Sequence, residues 1–404
     1  MTSINIYDPD GYLDGPPHEV FTELRRTQPV FFQEMPEEPG YWAVLKHADV
    51  IHVAREPVLF SASEGGVVLE NLAPDALESM RMMLLAMDPP RHVDYRRPLA
   101  PSFKARVMAQ LEDRIRSICR EIMARAAEQR DVEFVHDVTA PLPTQVIGEL
   151  MGLPREDWEM LHALAERQTR SSDPDAQSKP RLADDDTGSW AIDMAMYGIQ
   201  FAQARRAAEP RDDVTSLILA TDFNGHPMND IEFGSFFVQL VTAGNDTTQG
   251  MLSNGLLAFF ENPDQLERLR DDPSLITSAV EEILRYESPL HYFRRTATAD
   301  TEIRGVPIAE GDKVAMIYTS ANRDEDVFDD PQTFDIRRNP NPHLSFGIAE
   351  HYCLGVHLAR LEGRVFFEEL LGTFPTIELT GDPVRSRSNL NNGLKGLPVR
   401  LTPK

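Results

Sequence analysis

Cysteine is nearly missing from this chain of 404 residues, which has only 2, Cys119 and Cys353. Two cysteines exclude a disulfide framework and any four-thiolate zinc or iron–sulfur site. They suit a reducing cytoplasm, the location expected for the protein. Positive charge is scarce as well. There are 40 Lys and Arg against 65 Asp and Glu, for a net charge of −25. So acidic a chain disfavours wholesale binding to nucleic acid or acidic lipid. Long apolar runs are also missing. The longest, such as 233–244, fall short of the roughly 18–20 residues of a membrane span and contain polar positions. The first residues, MTSINIYDPDGYLDGPP, lack the basic start and apolar stretch of a signal peptide. No Walker loop or dinucleotide fingerprint appears, so no fused reductase is expected. His18, His47, His136 and His162 show no metal-like spacing. What remains is a globular chain that needs no staples. Its 41% apolar and 26% charged residues are ordinary, and at this length about three quarters of the unfolded surface becomes buried.

Hydrophobic periodicity predicts a mainly helical protein with a minor β-rich part, residues 1–404 forming one large domain. Gly40 to Ala54 reads as a strand leading into a short helix. Phe103 to Glu128 has Leu111, Ile115, Ile118, Ile122 and Met123 at three- and four-residue steps, an amphipathic helix. Cys119 falls on it as a core residue. Helices are also expected over Pro141–Gly152, Asp157–Thr169 and Trp190–Ala208. Ser171 to Ser189 is a polar loop of about 19 residues, long enough to suggest a function. Asp230 to Glu261 predicts a long apolar helix, with Asp230 at its start and Asn262-Pro263 at its end. At 1.5 Å per residue it spans roughly 48 Å. Ser274–Glu287 is helical, Phe293–Ile317 β-like, Asn322–Leu344 aperiodic, and a last helix runs over Leu354–Leu371 before a β-like tail.

Three strings carry chemistry. Cys353 lies in HLSFGIAEHYCLGVHLARLEGR, just before a helix. A thiolate there is stabilised by the helix dipole and unpaired N–H groups, although a lone cysteine among apolar residues is more often a small core residue. Ala243-Gly244-Asn245-Asp246-Thr247-Thr248 places an acid and hydroxyls inside an apolar helix, where such groups are costly unless satisfied. Threonine can bond back to the carbonyl four residues earlier, so a bent helix is the plain alternative. Glu282-Ile283-Leu284-Arg285 is an i, i+3 pair, which on a surface contributes only about 0.2–0.5 kcal/mol.

Together these strings resemble the cytochrome P-450 family of haem-thiolate monooxygenases over essentially the full chain. Phe346, Gly347, His351, Cys353 and Gly355 match the family's haem loop, with Ala349 where a second glycine is usual. The resemblance implies haem b as cofactor and Cys353 as the axial ligand of its iron. Phe346 would pack near the sulfur, and His351 would meet a propionate. His92 and Arg96 in MDPPRHVDYRR, and Arg295 in RRTATAD, match the family's other propionate contacts; forked guanidinium donors suit carboxylates. Asp246 and Thr247 match the acid–alcohol pair, which opens the helix beside the haem and relays protons to dioxygen. Ala243 and Gly244 leave room there for the cofactor and O2. Glu282 and Arg285 match a buried structural pair, completed by Arg338 or by Arg337.

The implied activity is insertion of one oxygen atom of O2 into a C–H bond of a small to medium hydrophobic substrate. A terpenoid, a steroid or a fatty chain would qualify, and the terpenoid is preferred. By family position the pocket draws on Gly65–Leu69, Val238–Ala243, Leu290–Phe293 and Leu390–Asn392, and within them on Val67, Leu69, Val238, Val241, Leu290, His291, Tyr292, Phe293, Leu390 and Asn391. Of these His291, Tyr292 and Asn391 could each offer a polar contact. The loop Ser171–Ser189 would act as a lid. Electrons would come from a separate ferredoxin and its reductase. Arg97, Lys104, Arg106, Arg360 and Arg364 would form a basic patch on the Cys353 face of an otherwise acidic monomer. A peroxide-driven peroxygenase or a non-turnover haem sensor could use the same loop. The retained Asp246–Thr247 pair argues against the first.

Overall fold

The central helix organises the molecule. A computed structural model describes residues 4–169 and 189–404; the predicted lid over 171–188 lies outside them. The central helix runs unbroken over Asp230–Glu261, 32 residues. Asn229, rather than the expected Asp230, caps it. The Asn229 side chain accepts from the Ile231 and Glu232 N–H groups, and the Glu232 carboxylate reaches back to the Asn229 N–H. This reciprocal capping box satisfies donors that a helix start leaves unpaired. Buried Phe233, Phe236, Phe237, Leu252, Leu256 and Phe259 join it to the largest core cluster. Trp190–Arg206, Pro141–Met151 and Trp158–Thr169 pack against it.

Pro141–Met151 ends at Gly152, whose φ of 67° needs no Cβ relief. The amphipathic helix expected over Phe103–Glu128 begins only at Glu112. Pro98 and Pro101 and an extended Lys104 break the preceding stretch into short turns. Cys119 is fully buried in that helix, and burial pushes its thiol well up. The last helix starts at Val356, with Gly355 at its N-cap.

The β part is smaller. A five-stranded sheet runs in the order Val30–Met35, Glu38–Val44, Lys313–Ile317, Tyr292–Ala297, Phe60–Ser61. Only Glu38–Val44 and Lys313–Ile317 pair in parallel. The β-like tail divides between two assemblies. Thr376–Leu379 and Pro398–Thr402 join Asp131–Glu133 in one sheet, and Val384–Arg385 pairs with Leu394–Gly396 in a hairpin. The turns foreseen at Arg304-Gly305 and Glu310-Gly311 occur, with positive φ at Arg304, Gly305 and Gly311. Among the described residues no helix is long and apolar enough to cross a membrane.

Candidate active site

The cysteine loop is closed by its own backbone. The Cys353 N–H donates to the Phe346 carbonyl at 2.8 Å, and the Gly347 N–H to the Leu344 carbonyl at 2.8 Å. Gly347 (φ 68°) and Ala349 (φ 57°) both occupy the left-handed region. Alanine therefore holds the conformation a glycine would adopt freely, at a cost of about 1 kcal/mol. Ala349→Gly is expected to raise the unfolding free energy of the holoprotein by that amount, measured by urea titration. A destabilised variant would show that the strain is not there.

The Gly355 N–H and the charges of Arg96 and Arg360 work against burial, which raises the Cys353 thiol overall. A metal cation would displace that proton. The Arg360 guanidinium sits 4.9 Å from the Phe346 ring centroid. Arg96 donates to the Tyr352 carbonyl, tying helix Arg91–Leu99 to the loop.

Cys353 lines a cavity of about 250 Å³. Ala243, Gly244, Thr247, Thr248 and Met251 of the central helix line the same cavity. So do His92, Arg96, Arg295 and His351, which form a cluster of nitrogen-bearing groups. The His92 and His351 rings lie 4.4 Å apart. Both ring nitrogens of His92 and Nε2 of His351 are buried without a partner among the described residues. Burial, then the positive charge of Arg96 and Arg295, lowers His92 to about 4; Asp88 opposes this. Burial, Arg295, His92 and Arg96 lower His351 to about 2. Two guanidinium groups and two unsatisfied imidazoles at one rim are a receptor for carboxylates. With a buried thiol in the same cavity, the donor set fits an iron porphyrin bearing two propionates.

The central helix is not opened at its polar segment, contrary to expectation. The hydroxyls and amides there bond along the helix instead. Thr247 Oγ1 donates to the Ala243 carbonyl at 2.8 Å, and Asn245 Nδ2 to the Val241 carbonyl at 3.1 Å. Thr144 Oγ1 donates to Asn245 Oδ1 at 2.9 Å. Gly244 also lets helix Pro141–Met151 approach, since a Cβ there would lie 3.2 Å from Ile147 Cδ1. Glu362 is buried in the same cavity wall, and burial pushes its carboxyl up to about 8, so it is neutral near pH 7.

Glu282 and Arg285 are fully buried and bonded twice, at 2.8 and 2.7 Å. Arg338 Nε reaches both Glu282 oxygens at 3.3 and 3.2 Å, whereas Arg337 pairs with Asp335 at the surface. Arg338 therefore completes the triad. Arg285 also donates to the carbonyls of Asn322, Pro331 and Thr333. Asn322 and Ser345 carry the connection on to the cysteine loop.

The predicted pocket needs correction. Leu290 and Phe293 line the cavity, but the other eight residues do not. Side chains alternate along strand Tyr292–Ala297. Phe293 and Arg295 therefore face the cavity while Tyr292 turns into a cluster with Leu69 and Leu390. His291 bonds Thr319 at 2.8 Å and packs on the Tyr12 ring. Val67 sits behind the wall with Ala62 and Ala86. Val238 and Val241 point into the core on the far side of the helix. Asn391 lines a separate, polar pocket with Asp246.

Gln239 and Leu240, inside the expected stretch Val238–Ala243, do line it, and the residues missed include Phe236, Leu84, Leu85 and Ile147. For Phe236 the signal was in the helical period, because it precedes Ala243 and Thr247 by seven and eleven positions. The basic patch needs correction too. Arg360 is clasped by Glu281, and Arg364 by Glu112 and Glu368. Arg97, Lys104 and Arg106 stay exposed without a carboxylate partner among the described residues.

Comparison with known proteins agrees with this geometry. The profile described as Cytochrome P450 matches residues 192–398. A steroid C26-monooxygenase of Mycolicibacterium smegmatis is 36% identical over 400 residues, 96% of this chain and 92% of that protein. A linalool 8-monooxygenase of Pseudomonas putida is 34% identical over 411 residues, covering all of both chains. Among solved structures, Mycobacterium marinum cytochrome P450 CYP268A2 in complex with pseudoionone superposes with a TM-score of 0.86. It is 34% identical, over 95% of this chain and 94% of that one. CYP108D1 of Novosphingobium aromaticivorans gives 0.87 at 30% identity, over 99% and 97%. The chain belongs to the cytochrome P450 family, the haem-thiolate monooxygenases that act on hydrophobic substrates.

Proposed function

We propose that this monooxygenase hydroxylates a terpenoid-sized substrate at a C–H bond, with Cys353 as the iron ligand and Asp246 and Thr247 as the proton-handling pair. One observation carries the reading: Cys353 and Thr247 come from different elements and line one largely apolar cavity. When bound, the haem activates dioxygen and transfers one of its atoms to the substrate. The chain's own residues do the rest. His92, Arg96, Arg295 and His351 would hold the propionates and so orient the ring. Phe236, Leu240, Leu290 and Phe293 exclude water and take up the substrate. Thr247 presents its hydroxyl to the cavity, and Asp246 adjoins it on the helix.

Gln239 supplies the polar handle. Its Oε1 is buried without a partner among the described residues, beside the apolar Phe236 and Leu240, which suits a substrate with one hydroxyl. The relatives acting on linalool and on steroids point to substrates of that kind. Electrons would come from a ferredoxin-type donor with its reductase, docking on the Cys353 side near Arg97, Lys104 and Arg106. A single domain, a monomeric state and a cytoplasmic location complete the proposal.

The test is turnover of terpenoid alcohols by the holoenzyme with ferredoxin, reductase and 18O2. One labelled oxygen per product is expected. Thr247→Ala should lower product per electron pair about tenfold while NADH consumption holds within about twofold. Unchanged coupling would remove Thr247 from the proton path.

A further inference from the structure

We propose that protons reach Asp246 from the side of the central helix turned away from the main cavity, through a small polar pocket beneath the carboxy-terminal hairpin. The proposal rests on the reading of Asp246 and Thr247 as the proton-handling pair and specifies where their protons come from.

The helix divides its faces between two spaces. Residues 236, 240, 243, 247 and 251 line the main cavity. Asp246, Gln249, Gly250 and Ser253, at i, i+3, i+4 and i+7, line the second pocket. One residue step is about 100° around a helix, so Asp246 and Thr247 sit side by side where the two faces meet.

The second pocket has a volume of about 30 Å³. A water needs about 10–15 Å³ measured in this way, so two or three fit. Polar side chains, among them Asp246, Gln249, Ser253, Ser386 and Ser388, form a larger share of its wall than of the main cavity's. Gln249 is 7% exposed and Ser386 6%. Neither the Gln249 amide nor the Ser386 hydroxyl has a hydrogen-bond partner among the described residues. Ser388 Oγ accepts from the N–H groups of Leu390 and Asn391 at 3.1 and 2.9 Å, which leaves its own proton to donate. Polar groups this deeply buried are costly unless water satisfies them.

The hairpin that roofs the pocket is held firmly. Asn254 donates to the Asn392 carbonyl at 2.7 Å, and Asn392 to Glu287 at 2.9 Å. At the rim Arg387, its side chain 31% exposed, pairs with Asp10 at the surface. The path therefore runs from solvent at the Arg387 rim, past Ser388 and Gln249, to Asp246.

Each turnover consumes one O2, two electrons from the external iron–sulfur donor and two protons, and yields the hydroxylated product and one water. On this path only O–H bonds form and break. A pocket water gives a proton to the Asp246 carboxylate, Asp246 passes it towards the Thr247 side, and solvent replaces the proton taken from the pocket water.

Gln249→Leu tests the route, because it removes the amide without breaking a side-chain hydrogen bond among the described residues. In the holoenzyme turnover should fall about tenfold, short of the ~10²-fold cost of losing a general acid outright. The solvent deuterium isotope effect should rise. Crystals of the parent should show an ordered water between Gln249 and Asp246, and crystals of the variant none. Gln249→Glu keeps the pocket wet and should recover turnover. The carbon monoxide spectrum of each variant reports whether the haem site is intact. Unaltered turnover and isotope effect in Gln249→Leu, or a dry pocket in the parent, would overturn the route. Asp246→Asn separates the two levels. If it slows turnover and Gln249→Leu does not, the pair stands and the inlet is wrong. If Asp246→Asn changes nothing, the pair itself is misassigned.

Discussion

Cys353→Ala is expected to remove the thiolate-type shift from the carbon monoxide spectrum of the reduced protein and to lower monooxygenase turnover by about 10³-fold or more, ~4 kcal/mol of barrier. The substitution deletes one sulfur and little else. The loop is closed by the backbone bond from Cys353 to the Phe346 carbonyl, which alanine keeps. Three of the four side chains of the rim that would hold the propionates, His92, Arg96 and Arg295, come from other elements and are untouched. Haem should therefore still bind, more weakly, without the electron-rich ligand that favours O–O cleavage. Titration of apoprotein with haem would read the binding, and the spectrum would read the ligand. A variant that keeps the thiolate spectrum would show that another residue ligates the iron. Cys119 is a poor substitute, being fully buried in a helix within the core.

Glu282→Ala should be the most damaging substitution for stability, costing about 3–5 kcal/mol. Glu282 and Arg285 have no exposed side-chain surface. Removing the carboxylate strands the Arg285 charge in the interior, and it also takes partners from Arg338, the Asp335 N–H and the Asn341 amide. Total stabilities are about 5–15 kcal/mol, so the variant would lie close to unfolding. The loss should be seen as a lower unfolding midpoint and as haem-deficient protein. Replacing Glu282 and Arg285 together by methionine removes both charges and should be milder than Glu282→Ala alone. If the single substitution shifts stability by less than about 1 kcal/mol, the pair is not the anchor described here.

Much of the site could be read along the chain because its parts are local. The Phe346–Gly355 loop and the Ala243–Thr248 segment each carry their chemistry within one turn or one loop. The set proposed to hold the propionates is scattered over positions 92, 96, 295 and 351, yet each member has a residue type that suits a carboxylate. Only the fold brings the His92 and His351 rings within 4.4 Å.

The pocket was less legible, and for a definite reason. Which of Phe293 and Tyr292 faces the cavity depends on strand register, and a slip of one residue reverses every side chain. Which of Val238 and Gln239 faces it depends on the rotation of a helix that is apolar on nearly all sides. A helix of that kind has no sequence signal for its orientation. The basic patch failed because Glu281, Glu112 and Glu368 reach Arg360 and Arg364 partly from distant segments.

The sequence by itself determined the helical class, the family, and the motifs that hold the thiol and the adjacent acid and alcohol, since periodicity and short motifs are properties of neighbouring residues. The tertiary structure decided which arginine completes the buried triad, which side chains line the cavity, and that Asp246 opens onto a second, polar space. Those outcomes depend on contacts between segments distant along the chain, and such contacts exist only once the elements have packed.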